Sequence, residues 1–354
     1  MRYFFLSATI FFSFCLSLQA QRATSWLKTD STGRLQPYAM VQLWTVYSHG
    51  MRADTNGDGT AEAAENRLNI HLRRARLGFR GQPYPFLKFT VAGYFDLLGR
   101  DALGASIGGA NNPPEPVLGI WDAFFTWQPV AGKNWLHVTG GYFRPQYGRE
   151  SITSGFATTS GEKAMQQNYI RRHLVGAGPG RATGINLGGL LGNSTGKLHF
   201  NYNLGLFNPL FSSSLPNTVG IQWSPLLAGR LVLMLGDPEF SDYKIGYQTN
   251  YYNQRKGLSL GVSLASQGQT DLFTTSQAAS VDFLLNYGRF NADGEWHFMR
   301  RKGTGQTDGR DPLPFTAPTR AGHLRVSYNL QAGTKLLEPV LMVMQFNGAT
   351  TTAE

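Results

Sequence analysis

The sequence predicts an all-β fold, a transmembrane antiparallel β-barrel, from three observations. The first is alternation at period two: between Trp121 and Arg144, WDAFFTWQPVAGKNWLHVTGGYFR holds two strand-like runs across a polar turn. This spacing sets Trp121, Ala123, Phe125 and Trp127 on one face and Asp122, Phe124, Thr126 and Gln128 on the other. The second is the rhythm of the connections, short and long in turn, as in barrels whose tight turns face the periplasm and whose long loops face outside. The third is an export signal. Arg2, an apolar run from Tyr3 to Leu18, then Gln19 and Ala20 form a secretory signal peptide over residues 1–20, with cleavage expected after Ala20.

Past the signal, residues 21–36 read as a polar lead and 37–354 as the barrel. Strands are expected over Tyr38–Ser48, Arg67–Gly81, Phe86–Leu98, Leu118–Gln128, Trp135–Arg144, Ala182–Leu191 and Lys197–Phe207. Tight turns at 82–84, 129–133 and 192–196 alternate with long loops at 49–66, 99–117 and 145–181. Farther on, Ala228–Gly236, Leu258–Gln267, Ala278–Tyr287, Asn291–Arg300, Gly322–Leu330 and Pro339–Asn347 carry the same pattern, and 242–253 reads as either a long turn or an extra strand. The total is about 13 or 14 strands. Bacterial single-chain barrels have an even number, and an open edge in lipid leaves backbone groups unpaired, so the chain reads as lacking two or three C-terminal strands. One misread hairpin is the alternative.

Composition agrees with the pattern. Among 354 residues there are 42 Gly, 23 Phe, 15 Tyr and 7 Trp, and charged residues make up only 15%, well below a typical soluble domain. Mean hydropathy is nonetheless slightly polar, at -0.24, because a strand between lipid and water needs apolar side chains only at alternate positions. The one cysteine, Cys15, lies in the signal segment, which removes disulfide and thiol chemistry from the mature chain. The net charge of +10 is dispersed over strands and one long loop rather than gathered on a basic face, which argues against a nucleic-acid partner and for an anion path.

Three segments carry candidate functional residues. In RLNIHLRRARLGFRG, Arg67 to Gly81, the apolar set Leu68, Ile70 and Leu72 changes phase to Ala75, Leu77 and Phe79. A β-bulge near Arg73 keeps both sets on lipid and turns Arg74, Arg76 and Arg80 inward; for Arg80, nearest the turn, a rim position against headgroups is the alternative. The loop 145–181 holds Arg149, Lys163, Arg171, Arg172, His173 and Arg181, and its stretch GEKAMQQNYIRRHLV is the best helical segment of the mature chain. A loop of this length is expected to fold inward as a constriction, with a solvated surface loop as the alternative. Finally, DTNGDGTAEAAE follows the calcium-loop spacing, with Asp54, Asn56, Asp58, the carbonyl of Thr60 and Glu65 as ligands and Gly59 at the sharp turn. A structural Ca2+ pinning the first external loop is one reading and an ordinary turn the other. The seven histidines are scattered singly, and no Ser, His and acid constellation assembles.

Five blocks in order resemble the phosphate-selective porin O and P family of bacterial outer membranes: RRARLGFRG (Arg73–Gly81), WDAFFTWQP (Trp121–Pro129), GGYFRPQYGRESITSG (Gly140–Gly155), GPGRATGINLGG (Gly178–Gly189) and NYNLGLFN (Asn201–Asn208). The resemblance implies a sixteen-stranded, trimeric channel with a constricting third loop and cationic side chains along an anion pathway. Arg144, Arg149 and Arg181 lie inside the matching blocks and carry over as pore or loop cations. The chain departs from the family in having no lysine cluster in that loop and no C-terminal aromatic residue.

The sequence reading is thus a passive outer-membrane diffusion channel favouring small anions such as phosphate, with no catalysis and no required cofactor. Lipid, lipopolysaccharide and small anionic solutes are the expected partners. Expected pore cations are Arg74, Arg76, Lys88, Arg144, Arg149, Lys163, Arg171, Arg172 and Arg181, with Asp96 and Asp122 as acids on the same inner wall. The competing reading is an adhesin or surface receptor acting through calcium-pinned loops. An outer-membrane lipase would need an adjacent Ser and His on the external face, and a soluble β-sandwich would lack a continuous apolar belt.

Overall fold

The computed structural model describes residues 12–16, 34–50, 52–53, 60–101, 117–176, 179–192, 197–209, 221–307, 310–333 and 335–348. No described helix is long and apolar enough to cross a membrane, which says nothing of spans made by strands. The chain forms two compact units, residues 1–83 with 89–123 and residues 84–88 with 124–354.

The first unit contains β1 (Phe12–Leu16), β2 (Arg34–Ser48), a two-residue ladder of β3 (Arg52–Ala53) with β4 (Glu62–Ala63), β5 (Arg67–Tyr84), β6 (Leu87–Asp96) and most of β7 (Val117–Trp127). β1, inside the expected signal segment, pairs with Val41–Thr45 of β2. Between β2 and β5 the register slips once: Gln42 faces Arg74 and Leu43 faces Leu72, leaving Arg73 as the extra residue. This is the bulge that the phase change at Arg73 requires. It leaves Leu68, Ile70, Leu77 and Phe79 exposed and buries His71, Arg73, Arg74 and Arg76.

β7 departs from the expected alternation. Leu118 and Ile120 are exposed, and so are Phe125 and Trp127, so the outward set changes phase within the strand. Trp121 is half-buried, with the Arg76 guanidinium 3.5 Å above its ring, and does not share a face with Phe125. Attraction between the cation and the ring quadrupole explains the inward turn.

The second unit holds β8 (His137–Phe143), α1 (Arg149–Ile152), α2 (Gln166–Val175), β9 (Ala182–Gly192), β10 (Leu198–Asn208), β11 (Leu226–Gly236), β12 (Lys256–Gln267), β13 (Thr275–Tyr287), β14 (Phe290–Thr307), β15 (Arg310–Tyr328), the small ladder of β16 (Leu330–Ala332) with β17 (Lys335–Leu337), and β18 (Val340–Asn347). From β8 to β15 each strand pairs antiparallel with the next, and β18 follows β15. Strands of 11 to 13 residues over β9–β13 are long enough to cross a bilayer at a tilt.

One expectation for this half is corrected and one open alternative is decided. β14 runs on to Thr307 and β15 begins already at Arg310, where the sequence reading ended one strand at Arg300 and began the next at Gly322; Pro318 sits opposite Arg300 and Pro314 opposite Thr304. The segment 242–253, read as either a long turn or an extra strand, takes the first of these forms. It belongs to a 19-residue connector, 237–255, whose only ladder contact among the described residues is a parallel bridge from Tyr247 to Thr153.

Alternation divides the second unit into two faces. Leu187, Leu204, Leu227, Leu231, Leu260, Val262, Leu264, Val281, Phe298 and Leu324 point outward and are exposed, while Asn186, Asn203, Arg230, Ser263, Asp282, Glu295, His323 and Arg325 point the other way and are buried. Removing each outward Leu or Val from water gains about 1.5–3 kcal/mol, which drives this face into lipid. Val262→Arg, in the middle of β12, is expected to destabilise the folded protein in bilayers by about 2–4 kcal/mol in denaturant unfolding.

Candidate functional site

The polar face of the second unit is covered by the loop 144–181 and the connector 237–255, and three clamps fix the loop. The first is centred on Arg149 in α1. Its two terminal nitrogens donate to the carboxylate of Glu239, both at 2.8 Å, and Nε donates to Asp282 Oδ1 at 2.9 Å. Arg230 donates from the far side to the same Asp282 and to Ser263 Oγ, and the Tyr247 ring lies under both guanidinium groups. Burial alone would weaken the charge on Arg149, but Glu239 and Asp282 overcome it and raise its pKa further. Burial likewise works against the Glu239 carboxylate, and Arg149 holds it below the usual range.

The second clamp surrounds Glu150. Its backbone N–H donates to Glu295 Oε2 at 3.1 Å, and Oε1 accepts from Arg325, which also grips Asp293 through two nitrogens at 3.0 and 2.7 Å. A Cβ at Gly148, where φ is +66°, would collide with the Glu295 carboxylate, so only glycine lets the chain enter α1 this close to β14.

The third clamp is α2, which occupies the segment read as helical. Tyr169 Oη lies 2.8 Å from Thr319 Oγ1, His173 Nε2 lies 3.0 Å from the carbonyl of Gln277, and Arg301 donates to the carbonyl of His173 at 2.7 Å. Beneath it Phe143, Ile170, Leu174 and Val175 pack with Phe207, Leu226 and Met299.

Between these clamps the loop gathers cations. Lys163 is buried and donates to the carbonyls of Glu150 and Ser151, the latter at 3.2 Å. Burial, then the charges of Arg144 and Arg171, hold its pKa well below the ordinary lysine range, with Glu150 opposing them and Arg181 adding to them. Arg144 donates to the carbonyl of Thr153 and Arg181 to that of Pro179, each at 2.7 Å. The stem of Arg171 packs on Gly180, whose φ is +74° and whose absent Cβ would stand 2.6 Å from Arg171 Cγ.

Of the nine cations expected from sequence, Arg144, Lys163, Arg171 and Arg181 are thus brought together, while Arg149 is committed to two carboxylates. Arg172 is exposed on α2 and Lys88 is exposed beyond the turn before β6. In the first unit Arg74 donates to Gln42 at 2.9 Å, and Arg76 pairs with Asp96. Arg80 is exposed rather than turned inward and stacks on Tyr38 at 4.3 Å. Asp122 is half-buried. Asp54, Asn56 and Asp58 of the expected calcium loop lie outside the described residues; Thr60 and Glu65 are exposed.

Sequence reasoning missed the partners of the loop: Arg230, Glu239, Tyr247, Asp282, Asp293, Glu295, His323 and Arg325. Most were within reach of the period-two rule, since Asp293, Glu295 and His297 occupy one face of β14 and His323 and Arg325 one face of β15. Glu239 and Tyr247 were not, because the connector has no periodicity.

The chain matches the family model for phosphate-selective porin O and P across residues 45–313. No curated protein matches it.

Proposed function

Since the chain belongs to the phosphate-selective porin O and P family, and is therefore an outer-membrane porin rather than an enzyme, we propose that it passes small anions, phosphate among them, by passive diffusion past the loop 144–181. The observation that carries this reading is the gathering of cations within the loop: Lys163 donates to the carbonyls of Glu150 and Ser151, Arg144 to that of Thr153, and the Arg171 stem packs on Gly180 beside Arg181. Guanidinium groups in a narrow aqueous path replace part of an anion's hydration, and several weak sites in sequence let it leave again. Three of the neighbouring acids are already taken up by arginines outside this group, Glu239 and Asp282 by Arg149 and Arg230, and Asp293 by Arg325. We include in the proposal a homotrimer in contact with lipid and lipopolysaccharide, tested by the mass of the detergent-solubilised protein.

The depressed pKa of Lys163 gives the reading a pH signature. A group whose pKa is lowered sheds its proton earlier on the way up, so anion preference should decline at a pH below that at which ordinary lysines titrate. Reversal potentials in a salt gradient, measured at rising pH, test this. Lys163→Gln should start with weaker anion preference and lose this early decline, whereas an unchanged pH profile in the variant would assign it to another group.

A further inference from the structure

The second clamp contains more electronegative atoms than its hydrogen bonds use. Glu150, Glu295 and His323 are all buried, and one ligating atom from each lies within 4.8 Å of the others. Glu150 Oε2 and Glu295 Oε1 have no hydrogen-bond partner, although Glu150 is 1% and Glu295 4% exposed. Two carboxylate oxygens left in this state cost more than a hydrogen bond is worth, so the arrangement calls for a cation. Glu150 Oε2 is aimed at the imidazole, 3.4 Å from His323 Nδ1.

The histidine is prepared for a ligand's role. Its Nε2 faces Asp293 Oδ2 at 3.3 Å, and Arg325 fixes that carboxylate from the other side. A hydrogen bond from Nε2 to a carboxylate sets the tautomer that leaves the Nδ1 lone pair available, the usual outer support of a metal-bound histidine. Gln166 Nε2 lies 2.9 Å from Nδ1, while its Oε1 is buried without a partner; exchanging amide oxygen and nitrogen would offer a fourth donor to the same point. Charge agrees: Arg325 is shared by Glu150 and Asp293, Glu295 has no arginine or lysine partner among the described residues, and Lys163 is directed to backbone carbonyls, so negative charge remains for a divalent ion.

We propose that Glu150, Glu295 and His323 form a binding site for a divalent transition metal of the zinc class, which ties α1 of the loop to β14 and β15. Donors in a tetrahedral site with bonds of about 2.0–2.1 Å stand roughly 3.3 Å apart, close to the separation of Glu150 Oε2 from Nδ1. One imidazole with two carboxylates suits zinc better than calcium or magnesium, which take oxygen ligands in larger number. Bound metal would hold the loop against the wall, and its removal would leave two buried carboxylates to repel each other.

The test uses the full chain folded in detergent, stripped with EDTA and titrated with Zn2+ against a chromophoric chelator. One Zn2+ per chain is expected, with affinity at least about tenfold weaker in Glu295→Gln and in His323→Gln and unchanged in His49→Ala, at an exposed position. Folding of each variant is checked by heat-modifiable gel migration. X-ray absorption at the zinc edge of the unmodified protein gives a reading that needs no variant: one imidazole and a remainder of oxygen ligands is expected. No zinc bound, affinity in both variants unchanged from the unmodified protein, or a shell of two or more imidazoles would overturn the proposal. Zinc binding is measured apart from ion selectivity, so its failure leaves the anion reading intact.

Discussion

Arg149→Ala should destabilise the folded protein by about 3–5 kcal/mol in denaturant unfolding and should also raise single-channel conductance. The size follows from what the substitution leaves behind. Glu239 loses both of its arginine hydrogen bonds and Asp282 one, while all three residues sit in the fully buried clamp. Removing one member of a buried ionic cluster costs more than the cluster is worth, because the remaining charges cannot return to water. Conductance rises because Arg149 is the point at which α1 is bound to β13 and the connector. Acid should reproduce the release. Glu239 is held below the ordinary carboxylate range, so its contribution to stability is complete above that range and is lost as pH falls through its lowered value. Conductance that is unchanged in Arg149→Ala, in protein shown to be folded, would mean that the clamp does not position the loop.

Arg171→Glu combined with Arg181→Glu should turn the channel from anion-preferring to cation-preferring, seen as a reversal potential of opposite sign in a salt gradient. The pair changes the local charge by four units beside Lys163 without touching the Arg149 clamp. Arg149 is unsuited to this purpose, since a glutamate there would face Glu239 and Asp282 and dislodge the loop rather than recolour it. If the double variant keeps the original sign, the cations of the loop do not face the ion path.

The fold was legible in the sequence wherever one face of a strand met lipid. Alternation located the strands from β9 to β13 closely, and a phase change alone placed the bulge at Arg73. It failed where another force outweighed lipid exposure. Trp121 turns inward because Arg76 stacks on it, and the β14–β15 hairpin continues past its apolar stretch because paired strands need hydrogen bonds rather than hydrophobicity. The site was legible by half. Cations in a long loop stand out, and four of them do converge; the acids that hold the loop come from strands and a connector 90 or more residues away, and only three-dimensional pairing brings Glu239 and Asp282 to Arg149 or Arg325 to Glu150.

The central claim, a path lined by the cations of the loop 144–181, is tested most directly by the reversal potential of the unmodified protein across a planar bilayer with KCl of unequal concentration on the two sides. The sign corresponding to preferential Cl− passage is predicted, with a decline when phosphate is added if the two anions compete for the same cations. A sign corresponding to K+ preference would contradict it.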